Sequence, residues 1–332
     1  MTTATRPIVI VGVPRSGTSW TMRALGNAVG AATVLEPDSE DKWPAAIHAK
    51  HKLGRYPVLR PGDEAPAYRR LWSWTFDGAV EPRRSVLARH ILGPGAEDRI
   101  YDGRLDPVTW LASTLARDPN PGRAAGPAAG QAGQATRIVA KSIHAQLAIE
   151  WIASQFDVDV VLLLRHPANV LASWMEINLK DSRYSTLENR PDIRARYVEP
   201  WGVRLPGPDP VERMSWMIAL LLAAIEDAST RHPDWHVRTH EQLCADPAVE
   251  FRRLSADLGL VWGEDAEDFL VQHNTPGSGF AVKRVASELP DSWRRRLDDE
   301  QVTTLRRVLG WFPVTMWTDE DFVRDDGPEA RG

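Results

Sequence analysis

Cysteine is almost missing from this chain: Cys244 is the one thiol among 332 residues. A single thiol forms no intrachain disulfide, and such sparing use suits a reducing compartment. Long hydrophobic runs are also missing. The longest, residues 214–225, is too short to span a bilayer, so no integral membrane segment is expected. No basic stretch precedes an apolar core at the N-terminus, and residues 7–11 are too few for a secretory signal, which makes a cytoplasmic location the expectation. The nine histidines show no HExxH or comparable ligand spacing, so no metal is expected, and no GxSxG elbow occurs. The formal net charge of −5 offers no overall basic footprint, and nucleic acid is not an expected partner. Lysine is scarce as well: only six of the 40 Lys and Arg residues are Lys, leaving 34 Arg. Arginine grips phosphate and sulfate in bidentate fashion, although a GC-rich coding sequence produces the same bias.

What is present begins with residues 7–20. An apolar run of strand length, Ile8-Val9-Ile10-Val11, empties into Gly12-Val13-Pro14-Arg15-Ser16-Gly17, and helix formers follow. Gly12 and Gly17 stand at the spacing of a phosphate-binding loop, followed by the hydroxyls of Thr18 and Ser19. Such a loop works because the first N–H groups of a helix lack intrahelical partners and point at an anion. Thr18 occupies the place where a nucleotide triphosphatase carries lysine. The loop therefore holds a phosphate-like group without the usual equipment for ATP.

Short apolar runs at 8–11, 137–140, 158–164 and 235–239 read as buried strands, and 18–29, 145–155, 168–179 and 211–230 read as helices. Strands alternating with helices predict a parallel sheet covered on both faces. The expectation is one doubly wound α/β domain over 1–332, with irregular insertions at about 117–137 and 189–210. The second insertion is rich in Pro and Arg and reads equally as a lid or as decoration.

A second signal follows the third strand. Leu164 leads into Arg165-His166-Pro167, and Ser173 lies eight residues beyond Arg165. Ligands of open α/β sheets bind beyond the carboxyl ends of the strands, where a P-loop NTPase carries an acid for Mg²⁺. Arginine in that place turns a metal site into a second anion site, unless it pairs with a nearby carboxylate.

Together these segments resemble the PAPS-dependent sulfotransferase family, which has a P-loop NTPase-like fold. The resemblance implies that Arg15, Ser16, Gly17, Thr18 and Ser19 hold the 5′-phosphosulfate and that Arg165 and Ser173 hold the 3′-phosphate. It implies PAPS as co-substrate and PAP as product. Trp20 would stack on the adenine, or else face the core. Lys141, ending the strand Ile138-Val139-Ala140, matches the family's lysine beside the bridging oxygen, where its charge and that of Arg15 would stabilise the leaving phosphate. Two residues compete as general base. Glu36 lies 21 residues after Arg15, the distance at which tyrosylprotein and related sulfotransferases place a catalytic Glu that leads the second strand. His144 follows Lys141 with two residues between, where small-molecule sulfotransferases have one. Glu36 is favoured; Asp38 is a weaker third, and either acid could cap a helix instead.

Near the C-terminus, Lys283, Arg284 and Ser287 precede Leu289-Pro290-Asp291-Ser292-Trp293, like the basic loop that many sulfotransferases fold over the 3′-phosphate. Thr239 stands where the family often carries Tyr near the nucleotide. The implied reaction moves a sulfuryl group from PAPS to a hydroxyl or amine of a small-molecule, glycan or lipid acceptor. Its rivals are a P-loop kinase using ATP and Mg²⁺ and a non-catalytic nucleotide-binding protein. Acceptor identity and oligomeric state are not legible in the residues.

Overall fold

A computed structural model describes residues 6–40, 42–77, 137–179, 187–274 and 289–323. Five strands form one parallel sheet: β1 (Ile8–Gly12), β2 (Ala31–Leu35), β3 (Arg137–Ser142), β4 (Asp159–Leu164) and β5 (His236–Thr239), in the order β2-β3-β1-β4-β5. Strand β1 is central and fully buried, as a strand covered on both faces must be. Its side chains alternate between two apolar layers, Val9 and Val11 facing one and Ile8 and Ile10 the other. Parallel strands with helices on both faces reproduce the expected doubly wound sheet. One strand is missing from the apolar runs: β2 lies at the sheet edge with a half-exposed pattern and lacks a continuous apolar run.

Helix α1 (Thr18–Gly26) follows the first loop and packs with α8 (Pro247–Asp257) and α9 (Glu264–His273) on the Ile8 and Ile10 layer. The other layer holds α2 (Pro44–Lys50), α3 (Pro66–Phe76), α4 (Ile149–Gln155), α5 (Pro167–Glu176), α6 (Pro210–Arg231) and α10 (Asp299–Leu309). A short α7 (His240–Ala245) leaves β5 through a capping box, in which Thr239 and Gln242 satisfy each other's backbone N–H groups. The apolar run 214–225 lies inside α6 and is buried all round, packed against α5 and α10. No described helix is long and apolar enough to cross a membrane.

Two expectations need correction. The predicted helix 145–155 starts at Ile149, because residues 145–148 make a turn closed by the Ala148 N–H on the Ala145 carbonyl, 3.0 Å. Segment 189–210, expected as irregular, contains short helical turns at Pro191–Ile193, Arg194–Val198 and Glu199–Trp201. Ile193, Tyr197 and Val198 are buried in the main core, so this stretch is packed structure. Insertion 117–137 lies outside the described residues except for Arg137.

Candidate functional site

The first loop runs from the end of β1 to α1 through two left-handed residues, Arg15 at φ 78° and Gly17 at φ 94°. Arginine rarely adopts that conformation, so neighbours must enforce it. Three contacts from β4 and α5 do so. Arg165 Nη1 donates to the Arg15 carbonyl at 2.8 Å, Trp174 Nε1 to the Pro14 carbonyl at 2.9 Å, and Arg15 Nε to Ser173 Oγ at 2.8 Å. The two sequence motifs are thus physically joined: Ser173 braces Arg15, and Arg165 braces the loop backbone.

Two glycines are demanded by close approach. A Cβ on Gly12 would stand 2.4 Å from the Leu163 carbonyl and from Ser16 Oγ, and one on Gly17 would stand 2.3 Å from His240 Cδ2. The N–H groups of Thr18 and Ser19 open α1 and have no intrahelical acceptor. Ser16 Oγ and Arg165 Nε are buried without a hydrogen-bond partner among the described residues. A buried polar atom left so is destabilising by about 1–3 kcal/mol, and a donor set of backbone N–H, hydroxyl and guanidinium suits an anion. Arg165 is pushed down to about 10 by burial, against the pull of Glu241 and Cys244, and stays charged at neutral pH.

Lys141 is the last but one residue of β3 and lies opposite Leu35; Glu36 follows Leu35 at once, its N–H donating to the Lys141 carbonyl at 2.7 Å. Glu36 therefore closes β2, where the resemblance had it lead that strand. Its φ of 50° turns the side chain back over the sheet edge, where its carboxylate pairs with both Lys141 and Lys42. Burial raises the Glu36 pKa, but the two ammoniums outweigh it and hold the carboxyl below its ordinary range. Lys141 is lowered by its own burial, against the attraction of Glu36.

His144 and Asp38 stand differently. His144 is 4% exposed, with Nδ1 3.3 Å from Lys50 Nζ and 3.5 Å from the Asp38 carbonyl, and it meets the Tyr56 ring edge-on. Burial first, then Lys50 and Arg55, push its pKa well below the ordinary value, so it is neutral. The Asp38 carboxyl accepts from Ser142 Oγ at 2.8 Å and from Tyr68 OH at 3.0 Å, tying the ends of β2 and β3 together. Neither acid caps a helix: the residue before α2 is Trp43. Lys50 is paired with Glu40 at 2.5 Å within the same buried cluster.

Trp20 packs edge-on against Phe251, with ring centroids 4.9 Å apart, and lies 5.9 Å from the His240 ring. Its ring is half-buried against the Ile8 and Ile10 layer. Lys283, Arg284 and Ser287 lie outside the described residues. The segment just after them is anchored on α5: Asn169 Nδ2 donates to the Pro290 carbonyl at 2.7 Å and Oδ1 accepts from Ser292 Oγ at 2.9 Å. Thr239 is the α7 cap, while its neighbour His240 fills the space beside Gly17. Sequence reasoning missed His240, Asn169 and Lys42. Lys42 carried one weak signal, its place six residues after a candidate base in a chain with few lysines.

Sheet order lays these groups in a row along the carboxyl edge: Glu36, Lys141, the loop, Arg165. At roughly 4.8 Å per strand the row is about 14 Å long from β2 to β4. It can bind one anionic group at the loop and a second near Arg165, with a lysine–carboxylate pair on the other side of the loop.

A family model described as the sulfotransferase family matches residues 7–264. No curated protein matches the chain. Among solved structures, the sulfotransferase domain from the curacin biosynthetic pathway is 12% identical, with 92% of this chain and 96% of that chain covered and a TM-score of 0.46. Sulfotransferase STF1 of Mycobacterium tuberculosis H37Rv is 18% identical over 89% of this chain and 78% of that one, TM-score 0.39. Retinol dehydratase in complex with retinol and PAP is 14% identical over 93% and 82%, TM-score 0.39.

Proposed function

The chain belongs to the sulfotransferase family, and from that premise we propose that it transfers a sulfuryl group from PAPS to a hydroxyl or amine, releasing PAP. One observation carries the reading: two orphaned buried donors, Ser16 Oγ and Arg165 Nε, flank one loop at the sheet edge. PAPS, when bound, supplies an activated sulfuryl group between its phosphate and the acceptor. Ser16, Thr18 and Ser19, with the N–H groups at the start of α1, hold the 5′ end. Arg165 holds the 3′-phosphate, which ATP lacks. Ser173 acts through Arg15 Nε and keeps the loop in its left-handed turn.

Glu36 accepts the proton of the acceptor hydroxyl as its oxygen forms a bond to sulfur. The bridging S–O bond breaks, and its electron pair leaves with the phosphate of PAP. Lys141 and the loop N–H groups neutralise that charge as it develops. His144 is the weaker base, because its ring is buried against Lys50 and its pKa is pushed well below the ordinary value. Positioning and preorganised charge supply most of the rate in such a scheme. A small-molecule acceptor suits the family.

Calorimetric titration with PAP and ADP, each with and without Mg²⁺, tests the donor site. Tight, metal-independent binding of PAP over ADP is expected, and Arg165→Met should narrow that preference by weakening PAP more than ADP, the loss they share coming from the loop brace at the Arg15 carbonyl. Preference for ADP with Mg²⁺ would point to phosphoryl transfer instead. Binding of neither nucleotide would favour a non-catalytic role.

A further inference from the structure

Glu36 has two cationic partners of unequal character. Lys141 reaches it from β3 with a side chain 3% exposed, and Lys42 from the turn after β2 with a side chain 36% exposed. That turn is built to bring Lys42 back. The Ser39 N–H donates to the Glu36 carbonyl at 3.0 Å, and the N–H groups of Lys42 and Trp43 donate to the Ser39 carbonyl at 3.1 and 2.9 Å. Trp43, itself buried, returns its Nε1 to the Leu35 carbonyl at 3.2 Å. Both neighbours of the turn are therefore anchored, and Lys42 is held over the carboxylate.

The charged groups that face Glu36 are Lys141 from β3, Lys42 from the turn and, as a like charge, Asp38 from the same turn. A partly exposed ion pair adds little stability, so stability alone does not account for a second lysine here. A carboxylate clamped by two ammoniums is a poor proton acceptor. Of the two, Lys141 is the one whose strand lies next to β1 and the phosphate loop.

Resting on the donor reading above, we infer that Lys42 is a positioning residue, keeping Glu36 oriented while Lys141 turns its charge to the donor phosphate. Glu36 then exchanges a two-lysine clamp for a one-lysine hold as the donor site fills. Its basicity rises when an acceptor proton has to be taken, and it stays low while the site is empty. Lys42 sets the level to which it rises.

The Glu36 carboxyl carbon, followed by ¹³C NMR titration and assigned by difference from Glu36→Gln, reads this without an acceptor. PAP serves as the probe, and its binding is measured separately by calorimetry. PAP should raise the Glu36 pKa by about one unit, the scale of a weakened neighbouring cation. Lys42→Met should raise it by a similar amount again in the PAP complex, and Lys42→Arg should restore the original titration. PAP affinity should be the same in all three proteins.

If PAP binds and Glu36 titrates unchanged, the exchange is overturned and the donor reading stands. If Lys42→Met leaves the titration unchanged, Lys42 is an ordinary surface ion pair and the inference fails. If Lys42→Met weakens PAP binding, Lys42 is a donor ligand and the inference fails for that reason. If wild-type protein does not bind PAP, the donor reading itself falls and takes this one with it.

Discussion

Replacing Gly17 by alanine places a methyl group where the structure has no room, and the consequence can be worked from two separate quantities. The first is conformational: at φ 94° an L-residue is strained, and the left-handed region costs a non-glycine residue roughly 1–2 kcal/mol. The second is steric, because the new Cβ would stand 2.3 Å from His240 Cδ2. His240 is hemmed in by Trp20 and by Cys244 Sγ, 3.5 Å from its Nδ1. It cannot swing aside freely, and overpacking of this kind costs about 1–3 kcal/mol. The sum is roughly 2–5 kcal/mol.

The variant relieves that strain by moving the loop, and anion binding must then restore it. PAP affinity should fall by at least about 30-fold, since 1.4 kcal/mol is a factor of ten. The same substitution in a His240→Ala background separates the two quantities. There the steric part is absent, so the added effect of Gly17→Ala should shrink by about 1–3 kcal/mol, the coupling energy of a double-mutant cycle. Calorimetry with PAP on the four proteins measures it. Equal effects in both backgrounds would show that His240 is not the obstacle. Unchanged PAP affinity in Gly17→Ala would refute the loop as the anion site.

Three further outcomes are expected. Glu36→Gln should abolish most sulfuryl transfer to whichever acceptor a PAPS screen identifies without weakening PAP binding, which tightens if Lys141 is released to the donor; near-normal turnover would remove Glu36 as base and promote His144. The same variant has a pH signature. Glu36 titrates below its ordinary value of 4.5 in the fold, so its charge stabilises the protein above that pH, and the contribution is lost as pH falls through the folded value. Urea midpoints of wild type and Glu36→Gln should differ at pH 7 and converge below pH 4.5, and a gap that persists in acid would contradict the ion-pair account. At the start of α10, Asp298→Ala removes the capping box; it should cost about 1 kcal/mol, seen as a small drop in Tm with PAP binding unchanged.

The parts of the site that were legible in the sequence are those that local chemistry determines. An apolar run, two glycines at fixed spacing and a helix start make a phosphate loop wherever they occur together, so residues 12–19 announced themselves. Arg165 and Lys141 were legible for the same reason, each a cation ending a buried run at what had to be the ligand edge. Strand β2 escaped notice because an edge strand need bury only one side, and its residues show no continuous apolar pattern. Glu36 was found by resemblance in distance from Arg15, but its role at the end of β2 came from the strand's register with β3.

Other decisions lay beyond any local pattern. His144 is as polar in sequence as Glu36, yet one is enclosed by Lys50, Glu40 and Tyr56 while the other sits on the sheet edge between two lysines. Lys42 is six residues from Glu36 along the chain, and only the turn's hydrogen bonds return it there. His240 touches Gly17 across more than 200 residues because β5 lies two strands from β1. By itself the sequence determined the loop, the strand-end cations and the family, since each depends on neighbours a few residues apart. Tertiary structure decided which carboxylate meets which lysine and which histidine is shut away, because charge pairing and burial depend on distances through space that strand order and the turns between elements set together.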